Sequence, residues 1–110
     1  MAAPNVVNVA TITAKSALVA LSSTSATALV SNAASSGKVF KVNMIQVANV
    51  DGVNACDVTV DVHSAASGGG TAYSLVATAS ALYLEEDRSI TVTAGTANDL
   101  EVIVSYEEIS

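Results

Sequence analysis

The chain has one histidine, His63, and one cysteine, Cys56, so nucleophilic chemistry would have to be built around them. An imidazole can take a proton from a hydroxyl or thiol, and Ser64, Ser67 and Cys56 are the nearest partners in sequence. Such a nucleophile needs a presenting turn such as G-x-S-x-G and a third group to orient the base, and neither is written here. Cys56 reads instead as a small apolar side chain in a strand-like stretch. His63 shares an alternating face with Asp61 and reads as facing solvent or another subunit. Asp51, Asn54, Asp57 and Asp61 bring several oxygen ligands into one segment, but their order is not that of an EF-hand loop, and zinc would need more Cys or His. Gly68, Gly69 and Gly70 could offer main-chain amides to a phosphate, yet the Lys-Ser/Thr pair and helix of a P-loop do not follow. Two carboxylates suffice for glycoside hydrolysis, but there is no Trp and there are only three Tyr to stack a sugar. The expectation is a chain with no catalytic residue, no cofactor and no metal site. The acidic runs Glu85-Glu86-Asp87 and Glu107-Glu108 then read as a solvated turn and terminus, or as faces for a basic partner surface.

The elements that would position these residues are strands. Val58, Val60 and Val62 alternate with Thr59, Asp61 and His63. Ile90 and Val92 alternate with Thr91 and Thr93. Leu100, Val102, Val104 and Tyr106 alternate with Glu101, Ile103, Ser105 and Glu107. Ile103 is the apolar exception on a polar face, which predicts contact with a second layer or another subunit. In residues 38–50 (KVFKVNMIQVANV) the apolar phase switches between Val42 and Ile45, predicting a bulge near Met44. Asp51-Gly52 follows, and an Asp-Gly pair between strands predicts a tight hairpin joining this strand to one over residues 55–63. Residues 6–13 and 26–30 read as strands, residues 16–21 are ambiguous between strand and helix, and residues 64–71 read as a flexible loop tip. Several short strands separated by turns predict an all-β fold, an antiparallel β-sandwich of which the jelly roll is one form.

At 110 residues the chain has room for one domain, spanning residues 1–110. Apolar residues make up 51% of it but aromatics only 4%, so the core is built from Val and Ala and is thin. Charged residues are 13%, against roughly a quarter in ordinary soluble domains, and the mean hydropathy is positive, so part of the surface is expected to be covered by neighbours. The net charge is −6, and Lys15, Lys38, Lys41 and Arg88 are dispersed rather than gathered in a stripe, which argues against nucleic acid as a partner. The apolar run at residues 17–21 is far shorter than the roughly 20 residues that span a bilayer, and no basic residue precedes Lys15 as in a secretory signal; no membrane role is expected. Residues 1–9, with Pro4 and Val6, read as an extended N-terminal arm.

In KVFKVNMIQVANVDGVN (38–54), YLEEDR (83–88) and NDLEVIVSYEE (98–108) the chain resembles small virion structural proteins of tailed bacteriophages of the marine and cyanophage type. The resemblance implies a β-sandwich module of the virion without enzymatic activity. The function expected is capsid decoration: a cement protein that binds the major capsid protein lattice, self-associates and is found in the virion. A tail, neck or fibre-associated protein, or a receptor- or carbohydrate-binding β-module, is the alternative. The residues expected to contact partners are Ile103, Glu85, Glu86, Asp87, Pro4 and Val6.

Overall fold

The computed structural model describes residues 11–75 and 81–110. Its strands are β1 (Ile12–Ala20), β2 (Thr27–Asn32), β3 (Val39–Asn49), β4 (Val58–His63), β5 (Ala72–Ser74), β6 (Leu82–Leu84), β7 (Arg88–Ala94) and β8 (Leu100–Ile109), with a 3-10 turn at Ala66–Gly68. They form two four-stranded sheets, β1-β8-β3-β6 and β2-β7-β4-β5, in which every pairing is antiparallel. The pairs β1–β8, β2–β7, β3–β6 and β4–β5 nest like one long hairpin folded over on itself, alternating between the sheets. This is the jelly roll form of the β-sandwich.

Period-2 alternation places the core. Phe40, Val42, Leu84, Leu100, Val102 and Val104 of the β8 sheet face Val30, Ile90, Val92 and Ala94 of the β7 sheet, and all are buried. The Phe40 and Tyr106 rings pack at 5.5 Å between centroids, so both belong to the interior, as the alternation predicts. The expected bulge is present: β3 slips against β8 between Val42 and Met44, which turns Ile45 and Val47 inward after Phe40 and Val42.

Several expectations are corrected. β3 pairs with β8 and β6, not with β4, so Asp51-Gly52 does not close a hairpin; residues 50–57 carry the chain from one sheet to the other. Gly52 has a positive φ of 81° and Asp51 does not. The loop is held by side chains: the Asp51 amide donates to Asn49 Oδ1, the Asn54 amide to Asp51 Oδ2, and Asn49 Nδ2 to the Asn54 carbonyl. Asx geometry thus does here what a two-residue turn would do in a hairpin. The following strand begins at Val58, and Cys56 precedes it in the loop, half-buried against the core edge. The first strand covers the ambiguous residues 16–20 and begins at Ile12, just after Thr11; residues 6–10 of the strand expected over 6–13, and the arm at residues 1–9 with Pro4 and Val6, lie outside the described residues.

Residues 64–71 are not a free tip. They lie over the outer face of the β7 sheet, where the Gly68 amide donates to Ser89 Oγ, Ser89 Oγ to the Ala65 carbonyl, and the Ser67 amide to Ser31 Oγ. His63 is consequently buried beneath this cover, not exposed, with Nε2 at 2.8 Å from Thr91 Oγ1. Small hydroxyl residues on β2 and β7 make the cover possible, because they bond the crossing backbone without holding it away from the sheet.

Candidate partner-binding surface

The outer face of the β8 sheet carries no such cover among the described residues. Its cross-strand rows follow from the register: Leu18, Ile103 and Gln46; Ala20, Glu101 and Ala48; Ser16, Ser105 and Met44. Leu18 is 73% exposed, Met44 44% and Ile103 42%. Small side chains flank the large ones, leaving a groove of about 440 Å³ lined by Leu18, Ala20, Gln46, Ala48, Glu101 and Ile103. Groups of this kind in water are unfavourable by roughly 25 cal/mol per Å² relative to burial, so the surface is suited to an apolar contact with a small polar margin. Ile103 is therefore where alternation places it: outward, between Leu18 of β1 and Gln46 of β3. Leu18 and Met44 were not singled out by the sequence. Their signal is the doublets Leu18-Val19 and Met44-Ile45, in which a strand must turn one apolar side chain outward.

The remaining candidates do not join this surface. Glu85, Glu86 and Asp87 form the turn between β6 and β7. Glu85 is exposed, whereas Glu86 and Asp87 are half-buried. Asp87, at φ 58°, accepts the Ala66 amide on Oδ1 and so anchors the cover on the other sheet. Glu107 and Glu108 are not a solvated terminus. Glu107 accepts from Asn43 Nδ2, and Glu108 Oε2 lies 2.9 Å from Lys15 Nζ and 3.5 Å from Lys38 Nζ. Burial pushes the Glu108 carboxyl up, but the Lys15 hydrogen bond and the charges of Lys15 and Lys38 outweigh it and hold the group below its ordinary value. The same hydrogen bond raises Lys15.

Ser64 and Ser67 do not assemble with His63 and Cys56 into a nucleophilic centre. Ser64 Oγ accepts the Thr71 amide, the Cys56 thiol faces the Asp57 and Thr96 carbonyls, and His63 Nε2 is taken by Thr91. Among the described residues no three His, Cys, Asp or Glu side chains converge on a point that could hold a metal, and no helix is long and apolar enough to cross a membrane. Comparison with protein-family models, with curated proteins and with solved structures gives no match.

Proposed function

We propose that this chain is a non-enzymatic virion structural protein, a capsid decoration protein whose β8 sheet packs by its outer face on the major capsid protein lattice and stabilises the head. The observation that carries the reading is the exposed apolar stripe Leu18–Ile103–Met44 on a sheet face left open among the described residues, whose burial on a partner would add to the stability of the chain. The jelly roll agrees by analogy, since double-sheet jelly rolls serve in viral capsids, though they also serve in lectins. A lectin-like role has less support: Tyr73 and Tyr83, the exposed aromatics, sit on edge strands of different sheets and form no shared stacking platform. A tail or neck location would use the same face, and copy number per virion separates the two.

The test is co-sedimentation of purified protein with heads prepared without it. Wild-type protein is expected in the pellet. Ile103→Asp is expected to lower affinity at least about tenfold, because its carboxylate would be stripped of water at the contact. Wild-type protein left in the supernatant overturns the head-binding reading.

A further inference from the structure

One of the four sheet edges of this sandwich, β1, is unlike the other three. β5 and β6 are three residues each, and β2 is six residues with a register break between Ala28 and Val30. Short strands and bulges are the devices by which natural sheets keep their edges from pairing with other chains. β1 has neither. It runs nine residues, Ile12–Ala20, in unbroken register with β8, contains no proline, and among the described residues no strand pairs with its other side. Its one charge, Lys15, is drawn to Glu108 at 2.9 Å and does not guard the edge.

The hydrogen-bond phase says which groups are left. Thr11 and Ser110 exchange both main-chain bonds, and the Leu21 amide donates to the Leu100 carbonyl, so the odd-numbered residues of β1 bond to β8. The N–H and C=O groups of Ile12, Ala14, Ser16, Leu18 and Ala20 then point away from the sheet. A second copy running antiparallel meets this row in a register centred on Ser16. Ser16 then faces Ser16, Ala14 faces Leu18, and Ile12 faces Ala20. Each large side chain opposes a small one, Lys15 opposes Ala17 rather than a like charge, and about ten main-chain hydrogen bonds close.

We infer that the β1 edge is a self-recognition site: two copies pair their β1 strands across a two-fold axis at Ser16, joining two four-stranded sheets into one continuous sheet. Leu18, 73% exposed, and Ile12, 56% exposed, gain neighbours across the seam. The apolar outer faces of the two copies become one surface of twice the width. This pairing goes beyond head binding and does not depend on it, because it uses the strand's edge and not its face.

Two measurements test it. Sedimentation velocity of the wild-type chain, taken up to about 1 mM, should show a concentration-dependent dimer. In a Cys56→Ser background, Ser16→Cys should oxidise to a covalent dimer, since paired Cα atoms here stand about 5.5 Å apart, within disulfide reach. Ala14→Cys should not, because in this register the two Ala14 positions are separated by about 14 Å along the strands. Ser16→Lys and Ser16→Glu should each weaken the dimer at least tenfold alone, and a mixture of the two should restore it. A wild-type chain that stays monomeric throughout, cross-linking as readily at position 14 as at 16, or failure of the mixture to pair would overturn the inference. A chain monomeric by itself that cross-links through position 16 only to a head protein would give the edge to a strand of that protein and equally overturn self-pairing. Ala14→Pro, which removes one outward N–H of the edge and lies outside the rows named for the face, should weaken the dimer while the protein still pellets with heads, separating the two surfaces.

Discussion

Asn32 shows how a single buried polar group can hold this fold together. Its Nδ2 donates to the Lys38 carbonyl at 2.9 Å and to the Leu84 carbonyl at 3.0 Å, while its Oδ1 accepts from Ser36 Oγ. One side chain thus ties the end of β2 to the start of β3 and to β6 across the sandwich. Asn32→Ala leaves those carbonyls unpaired and is expected to cost about 2–4 kcal/mol, read as a lowered urea midpoint at unchanged slope. Glu108 supplies a pH-dependent contribution. Its folded carboxyl lies below the ordinary value of 4.5, so its contribution is fully present above that value and is lost as the pH falls through the folded one. Glu108→Gln should therefore flatten the acid limb of stability against pH, measured by urea midpoints from about pH 3 to pH 7. An acid limb as steep as that of the wild type would assign the dependence to other carboxylates.

At the scale of elements, the segment over the β7 sheet and the crossover loop both depend on glycine, for different reasons. Gly52 needs only its positive φ, since a Cβ there would meet nothing within 4 Å. Gly70 has φ +66° and a Cβ would also collide with Ser64 Oγ, the acceptor of the Thr71 amide. Gly70→Ala is therefore expected to be the costlier change, by about 1–2 kcal/mol over the roughly 1 kcal/mol set by backbone conformation in Gly52→Ala. Its effect should be local. Amide exchange at Gly68 and Thr71 should accelerate while the central strands β7 and β8 stay protected. Equal losses in both variants would mean that the cover tolerates displacement.

For the whole molecule the decisive fact is that β8, the last strand, sits between β1 and β3, while β7 sits between β2 and β4. Neither sheet is complete until the C-terminal third has arrived, and the β1–β8 pairing closes a loop of almost the entire chain. Loop-closure entropy is spent before most contacts form, so refolding from urea should be slow for this size, on the order of milliseconds to seconds. Microsecond refolding in stopped-flow or temperature-jump traces would contradict a nested topology. The core is not the Val and Ala one that composition predicts: Leu21, Leu29, Leu84, Leu100 and Phe40 pack with Val102, Val104, Ile90 and Val92 of the central strands, and Ala94 is the one fully buried alanine among the described residues, because the alanines fall mostly on exposed faces and loops.

The all-β class, the inward faces of β4, β7 and β8, the β3 bulge and the outward placement of Ile103 were legible in the sequence, because each follows from alternation within a few neighbouring residues. What alternation does not contain is which strand lies beside which. Asp51-Gly52 carries the local chemistry of a hairpin, but the partner of β3 is a strand some sixty residues away, chosen because nesting β3 between β8 and β6 buries Phe40 and Val42 against the opposite sheet. His63 looked exposed for the same reason: its outward face is covered by a segment whose anchors, Ser31, Asp87 and Ser89, come from other parts of the chain. The apolar stripe likewise exists only in three dimensions, since Leu18, Met44 and Ile103 are distant in sequence and become neighbours through the register of β1 and β3 against β8. Local pattern decided which way each side chain points, and tertiary pairing decided what it meets there.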